Sequence, residues 1–139
     1  MSSTVSVRLV RDVEQSAESF MGETGWNRTT LINTALDEWL RVQAHPGIRF
    51  VPTPSGQRMA ALVNGPEVWT IAESWNQHEP HERTVGNVVL ATGLTLREVE
   101  TALSYYADYR QEIDNDLARH HRAQETARRA WERREALND

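Results

Sequence analysis

The stretch TVSVRLVRDVEQSAESFMGETGWNRTTLINTALDEWLRVQ, residues 4–43, decides how this chain is organised. Val5, Val7 and Leu9 alternate with Ser6 and Arg8, the period of a strand with one buried face. Asp12 then offers an N-cap. Behind it Val13, Ala17, Phe20 and Met21 fall on one stripe at helical spacing. Gly22 and Gly25 bracket the exit, and Asn27 offers a second cap. Leu31, Ile32, Ala35, Leu36, Trp39 and Leu40 follow as a wide apolar stripe.

A single short strand with two helices has unpaired edges and too little core to stand alone. The expected solution is a dimer, in which the same strand of a second chain completes a two-stranded antiparallel ribbon. Val5, Val7 and Leu9 would then point inward, and Thr4, Ser6 and Arg8 outward. Such a ribbon fits the major groove of double-stranded DNA. Asn27, Arg28 and Thr29, at the start of the second helix, would clamp a phosphate with free N–H groups and hydroxyls. An amphipathic hairpin used only for dimerisation is the plainer alternative.

The segment resembles ribbon-helix-helix repressors and antitoxins. The resemblance rests on Val5-Ser6-Val7-Arg8-Leu9, on Gly25, and on the run from Thr30 through Leu31-Ile32, Ala35-Leu36 and Trp39-Leu40. Val10-Arg11 stands where many members carry Pro, and Trp26 where many carry a small aliphatic residue. The resemblance implies a homodimer joined through the N-terminal strand that binds an operator.

Composition bounds these expectations. The net charge of −5 argues against non-specific coating of nucleic acid. Residues 1–50 carry five Arg against six acids, residues 51–109 three against seven, and residues 110–139 seven against seven. DNA contact must therefore come from a local patch. All 15 basic residues are Arg, which suits bidentate contact to phosphate or carboxylate. Cysteine is absent, so disulfides and thiolate metal sites are excluded. No apolar run approaches the roughly 18 residues of a membrane span, and no signal-peptide pattern opens the sequence, so a cytoplasmic protein is expected.

After residue 44 the pattern changes. His45-Pro46-Gly47 ends the second helix. Ile48–Val51 and Gln57–Val63 read as a hairpin across a Pro52–Gly56 turn. Val68, Ile71, Ala72 and Trp75 mark one helix, and Val85, Val88, Val89 and Thr92 a second, capped by Gly93. Thr95 with Glu98 makes a capping box for a third, carrying Val99, Ala102, Leu103, Tyr106, Ile113 and Leu117. The run from His45 to Leu117 resembles small antitoxin-like helix-turn-helix domains of largely unassigned role. That resemblance rests on His45-Pro46-Gly47-Ile48-Arg49-Phe50, Val68-Trp69, Gly93-Leu94-Thr95, Ala102–Ala107 and Glu112-Ile113-Asp114. Arg97 stands beside Glu98 and Glu100, so a module for packing or partner binding is expected, with DNA contact by its hairpin as the alternative.

Residues 118–139 have high helix propensity and little core stripe. A charged helix or disordered tail is one reading; a segment that orders on a partner is the other. The resemblances imply a toxin as that partner. Trp131 would anchor, and Arg128, Arg129, Arg133 or Arg134 would enter an acidic pocket. In a PIN-type ribonuclease an inserted Arg would compete with the metal for carboxylates.

No enzyme is expected. Ser16, Ser19 and Ser104 have no evident His partner, and no phosphate loop or nucleophile elbow occurs. His78 and His81 lack the spacing of a zinc helix, so neither metal nor cofactor is expected. The expected fold is mainly α with short β. A ribbon-helix-helix dimer unit (1–44) precedes a β-hairpin plus three-helix, helix-turn-helix-like domain (45–117), and a helical tail (118–139) follows. The expected function is a DNA-binding antitoxin that represses its own operon and neutralises a toxin through its C-terminal part. The alternative is a transcription regulator without a toxin, whose middle domain senses a ligand or bridges dimers.

Overall fold

The computed structural model describes residues 4–139. The chain falls into two compact units, Met1–Arg41 and Val42–Asp139.

Unit 1 contains helix α1 (Arg11–Thr24) and most of helix α2 (Arg28–Ala44). The N-terminal strand expected at residues 5–9 does not form: residues 4–10 carry no strand, and among the described residues the first strand comes after both helices. The ribbon-helix-helix architecture is thereby corrected to two helices joined through Gly25 and preceded by an arm that carries no strand. The physical reason is the ladder. A strand is defined by inter-strand hydrogen bonds, and the two strands this chain possesses, β1 (Ile48–Pro52) and β2 (Arg58–Leu62), pair with each other. Val5 and Val7, expected to face inward, are 73% and 69% exposed.

Helix α1 starts two residues earlier than the Asp12 cap implied. Extended Val10 is the N-cap, and its carbonyl accepts the Glu14 N–H at 2.9 Å. Asp12 instead joins Glu14 in the first turn, where negative charge meets the positive end of the helix dipole. The helix runs through Gly22 and ends at Gly25, whose φ of 78° is the left-handed conformation that glycine tolerates best. Thr24 and Trp26 complete the exit: Thr24 Oγ1 donates to the Phe20 carbonyl, and the Trp26 ring meets Phe20 edge-on at 5.2 Å.

In unit 2, β1 and β2 form an antiparallel hairpin in the register Ile48↔Leu62 and Phe50↔Ala60. Thr53 and Gly56 close its turn. Helix α3 (Val68–Gln77), a short 3-10 turn (Pro80–Glu82), α4 (Val85–Thr92), α5 (Leu96–Asp108) and α6 (Arg110–Glu135) follow. Thr84 caps α4 through the Asn87 N–H, and Gly93 ends it at φ 74°. At α5 the capping box is complete: Thr95 Oγ1 accepts the Glu98 N–H, and Glu98 Oε1 accepts the Thr95 N–H. Those bonds hold the Glu98 carboxyl below its usual range.

The core lies between hairpin and helices. Ile48, Leu62, Val68, Ile71, Val88, Val99, Tyr105 and Ile113 are buried in it. The third helix, expected to run unbroken past Ile113, is two helices. Tyr109 (φ −125°, ψ 43°) separates α5 from α6. Its ring packs against Tyr105 at 4.6 Å and His45 at 6.0 Å, so a buried aromatic cluster fixes the bend. His45 itself is buried, with Nε2 2.8 Å from Asp108 Oδ2 at the end of α5.

Candidate functional site

Unit 1 and the distal part of α6 hold all the residues that sequence pointed to, and both lie open. Thr4, Ser6 and Arg8 are exposed on the arm, and Arg8 makes no ion pair among the described residues. At the start of α2, Asn27 Oδ1 accepts the Thr30 N–H at 2.8 Å, and the Asn27 carbonyl takes that of Leu31. One of the N–H groups that a helix start leaves over, that of Thr30, is thus already satisfied, and the Leu31 bond is the first regular bond of the helix. What remains for an anion are the first N–H groups and the exposed side chains of Arg28 and Thr29. Arg28 is partly engaged, 3.8 Å from Glu14, with both side chains half exposed. Such a pair contributes little to stability and yields readily to a phosphate.

The apolar side of unit 1 is equally open. No residue of α1 or α2 is buried among the described residues. Leu36, Trp39 and Leu40 are 55%, 60% and 53% exposed. Covering such side chains is worth roughly 1.5–3 kcal/mol each, so this face gains far more from a partner than any polar contact nearby.

Helix α6 changes character along its length. Up to His121 it is docked: Ile113 and Asp116 are buried, His120 stacks on Trp69 at 4.0 Å, and His121 Nε2 lies 2.8 Å from Glu73. Beyond that point nearly every residue is exposed. Trp131 and Leu137 show 55% and 85% of their surface. The four arginines named for this end are not equivalent. Arg128 is held between Glu125 (2.6 Å) and Glu132 (2.8 Å), and Arg129 also reaches Glu125 at 3.0 Å. Hydrogen bonding to Arg128 lowers the Glu125 carboxyl and raises the Arg128 guanidinium. Arg133 and Arg134 form no ion pair among the described residues. The i, i+3 and i, i+4 spacing of Glu125, Arg128, Arg129 and Glu132 was the available signal for this difference.

Among the described residues no cluster of His, Cys, Asp or Glu is arranged to hold a metal ion. His78 Nδ1 lies 2.6 Å from the Ser74 carbonyl, and His81 is exposed beside Glu82. No described helix is long and apolar enough to cross a membrane. The residue that sequence reasoning missed is Asp116, buried in a run that reads as solvated. No protein-family model, no curated protein and no solved structure matches the chain.

Proposed function

We propose that the protein is a cytoplasmic DNA-binding antitoxin: unit 1 supplies self-association and operator contact, and the free end of α6 covers a toxin. One observation carries the reading: unit 1 is a pair of linked helices that buries none of its described residues and leaves its apolar side chains open. About 40 residues without a core of their own need a partner to stay folded. A second copy is the simplest partner, because a two-fold axis lets one apolar face cover itself. Two arms and two α2 N-termini are then carried by one dimer. Thr4, Ser6 and Arg8 contact DNA from an extended arm, and Arg28 and Thr29 hold a phosphate.

The tail half of the reading is supported by exposed Trp131 and Leu137 and by the unpaired Arg133 and Arg134. A toxin with an acidic metal pocket, such as a PIN-type ribonuclease, suits an inserted Arg. The internal pairing of Arg128 and Arg129 favours a second reading, a regulator with no toxin whose tail is a solvated rod.

Gel-shift titration of the full chain on the DNA upstream of its own reading frame tests the proposal. Affinity should fall with salt at the slope of a handful of phosphates. Arg8→Ala should abolish the shift with the circular dichroism spectrum unchanged. Unaltered affinity in that variant discards the arm, and no shift at any salt discards DNA binding. Removing residues 122–139 separates the two readings: an antitoxin loses rescue of cells from its neighbouring toxin and keeps DNA binding.

A further inference from the structure

The root of α6 carries an ionisable group that no role above uses. Asp116 is 4% exposed, in a helix where every neighbouring charge reaches water. It lines a recess between the start of β2 and α6 with Gln57, Arg58, Gln111, Glu112 and Arg119. Arg119 pairs with Asp116 Oδ1, but its own side chain is 39% exposed. Glu112, one turn earlier, holds a second carboxylate nearby and accepts the Tyr105 hydroxyl from α5 at 3.0 Å. Across the recess Arg58 adds a second guanidinium, one nitrogen of which donates to the Phe50 carbonyl at 3.4 Å. From α3 the one acid is Glu73, engaged by His121, while His120 is stacked on Trp69. Asp114 is tied to Tyr106 on α5 at 2.6 Å, with Arg110 behind it. Asp116 is thus the only one of these acids sealed from solvent, with a half-solvated cation as its counter-charge.

We propose that Asp116, buried at the root of α6 and lining a recess with Arg58, Glu112 and Arg119, is a pH-responsive pin. In its neutral form it holds the root of α6 to the core more firmly than in its charged form. This stands independently of the DNA-binding reading. Burial is the largest influence and disfavours the charged carboxylate; Arg119 offsets part of it, and Glu112 adds repulsion. The outcome pushes the Asp116 carboxyl from 3.8 up to about 6. A carboxyl raised in the folded state adds stability that is full below 3.8 and is lost as pH rises through about 6. Across the range from pH 5 to 7.5, opening of the α6 root should therefore become about tenfold easier.

Two measurements on the intact chain test this. Carbon-detected NMR should show one aspartate carboxyl titrating near 6 that is missing in Asp116→Asn. Amide exchange of residues 110–121, corrected for intrinsic rates, should show about tenfold slower opening at pH 5 than at pH 7.5. Asp116→Asn should be equally protected at both. A midpoint near 3.8, or the same pH dependence in wild type and Asp116→Asn, overturns the proposal. Should Asp116→Asn not fold, two milder variants decide. Arg119→Gln should move the midpoint up and Glu112→Gln down, and a midpoint that stays fixed in both overturns it.

Discussion

Unit 1 and unit 2 are built from the same kinds of amphipathic helix, yet they solve opposite problems. In unit 2 the apolar stripes of α3, α4, α5 and α6 meet over a hairpin, and Val68, Ile71, Val88 and Val99 lose all contact with water. In unit 1 the stripe of α2 is at least as wide, and Leu36, Trp39 and Leu40 remain more than half exposed. The difference teaches that an amphipathic pattern specifies a face that must be covered, and not what covers it. Where enough elements follow in the same chain, coverage is internal. Where only one other helix does, the face is left open.

The comparison can be broken at three points. The largest effect is expected for Ile71→Ala in unit 2, which removes a fully buried side chain and should lower stability by about 2–5 kcal/mol. Its urea midpoint should not move with protein concentration, and a midpoint that falls on dilution would show that unit 2 also depends on a partner. Next is Leu36→Asp in unit 1. For a side chain that stays exposed the change should be within about 0.5 kcal/mol. For one covered by a second copy the loss should be about 1.5–3 kcal/mol. Sedimentation velocity should then show the dimer replaced by monomer; an unchanged sedimentation coefficient refutes self-association through this face. The smallest effect is expected for Glu125→Gln, which releases Arg128 and Arg129 from their shared carboxylate. Loss of exposed i, i+3 and i, i+4 pairs should reduce helicity of the tail only slightly, read as a small fall in the circular dichroism signal at 222 nm. It should also free two arginines, so tighter binding of an acidic partner, measured calorimetrically, would assign them to recognition.

How far each feature could be read from sequence follows how local its cause is. The Thr95–Glu98 box and the Gly93 cap are decided within four residues, and both stand where spacing placed them. The hairpin is nearly as local, since its turn and both strands lie within Ile48–Leu62. The arm at residues 4–10 failed as a strand because alternation records a preference for one buried side, whereas a strand also needs a ladder partner. The break at Tyr109 was hidden because Ile113 and Leu117 continue the apolar periodicity of α5. Only the packing of Tyr109 against His45 and Tyr105, far apart in the first case, reveals the bend. Asp116 was illegible for a related reason: an acid close to arginines and histidines in the sequence reads as solvated until the docking of α6 on the other helices shows it buried. At the positions proposed to face DNA, spacing found exposed side chains, and the cap it offered at Asn27 forms, which engages the Asn27 side chain with its own helix.

The continuity of α6 has a metrical consequence. At 1.5 Å per residue, the stretch from 122 to 135 extends about 20 Å past the last docked turn. A coil of that length would sample a broad spread of end positions, whereas a helix stiffened by Glu125, Arg128, Arg129 and Glu132 sets a fixed reach. Whatever meets Trp131 meets it at a set distance from the Trp69–His120 stack. Each residue inserted between them would add 1.5 Å and rotate the tryptophan by about 100°. The tail therefore behaves as a ruler: insertions of one or two residues turn Trp131 away from its present direction, while insertions of seven return it to nearly the same direction, about 10 Å further out.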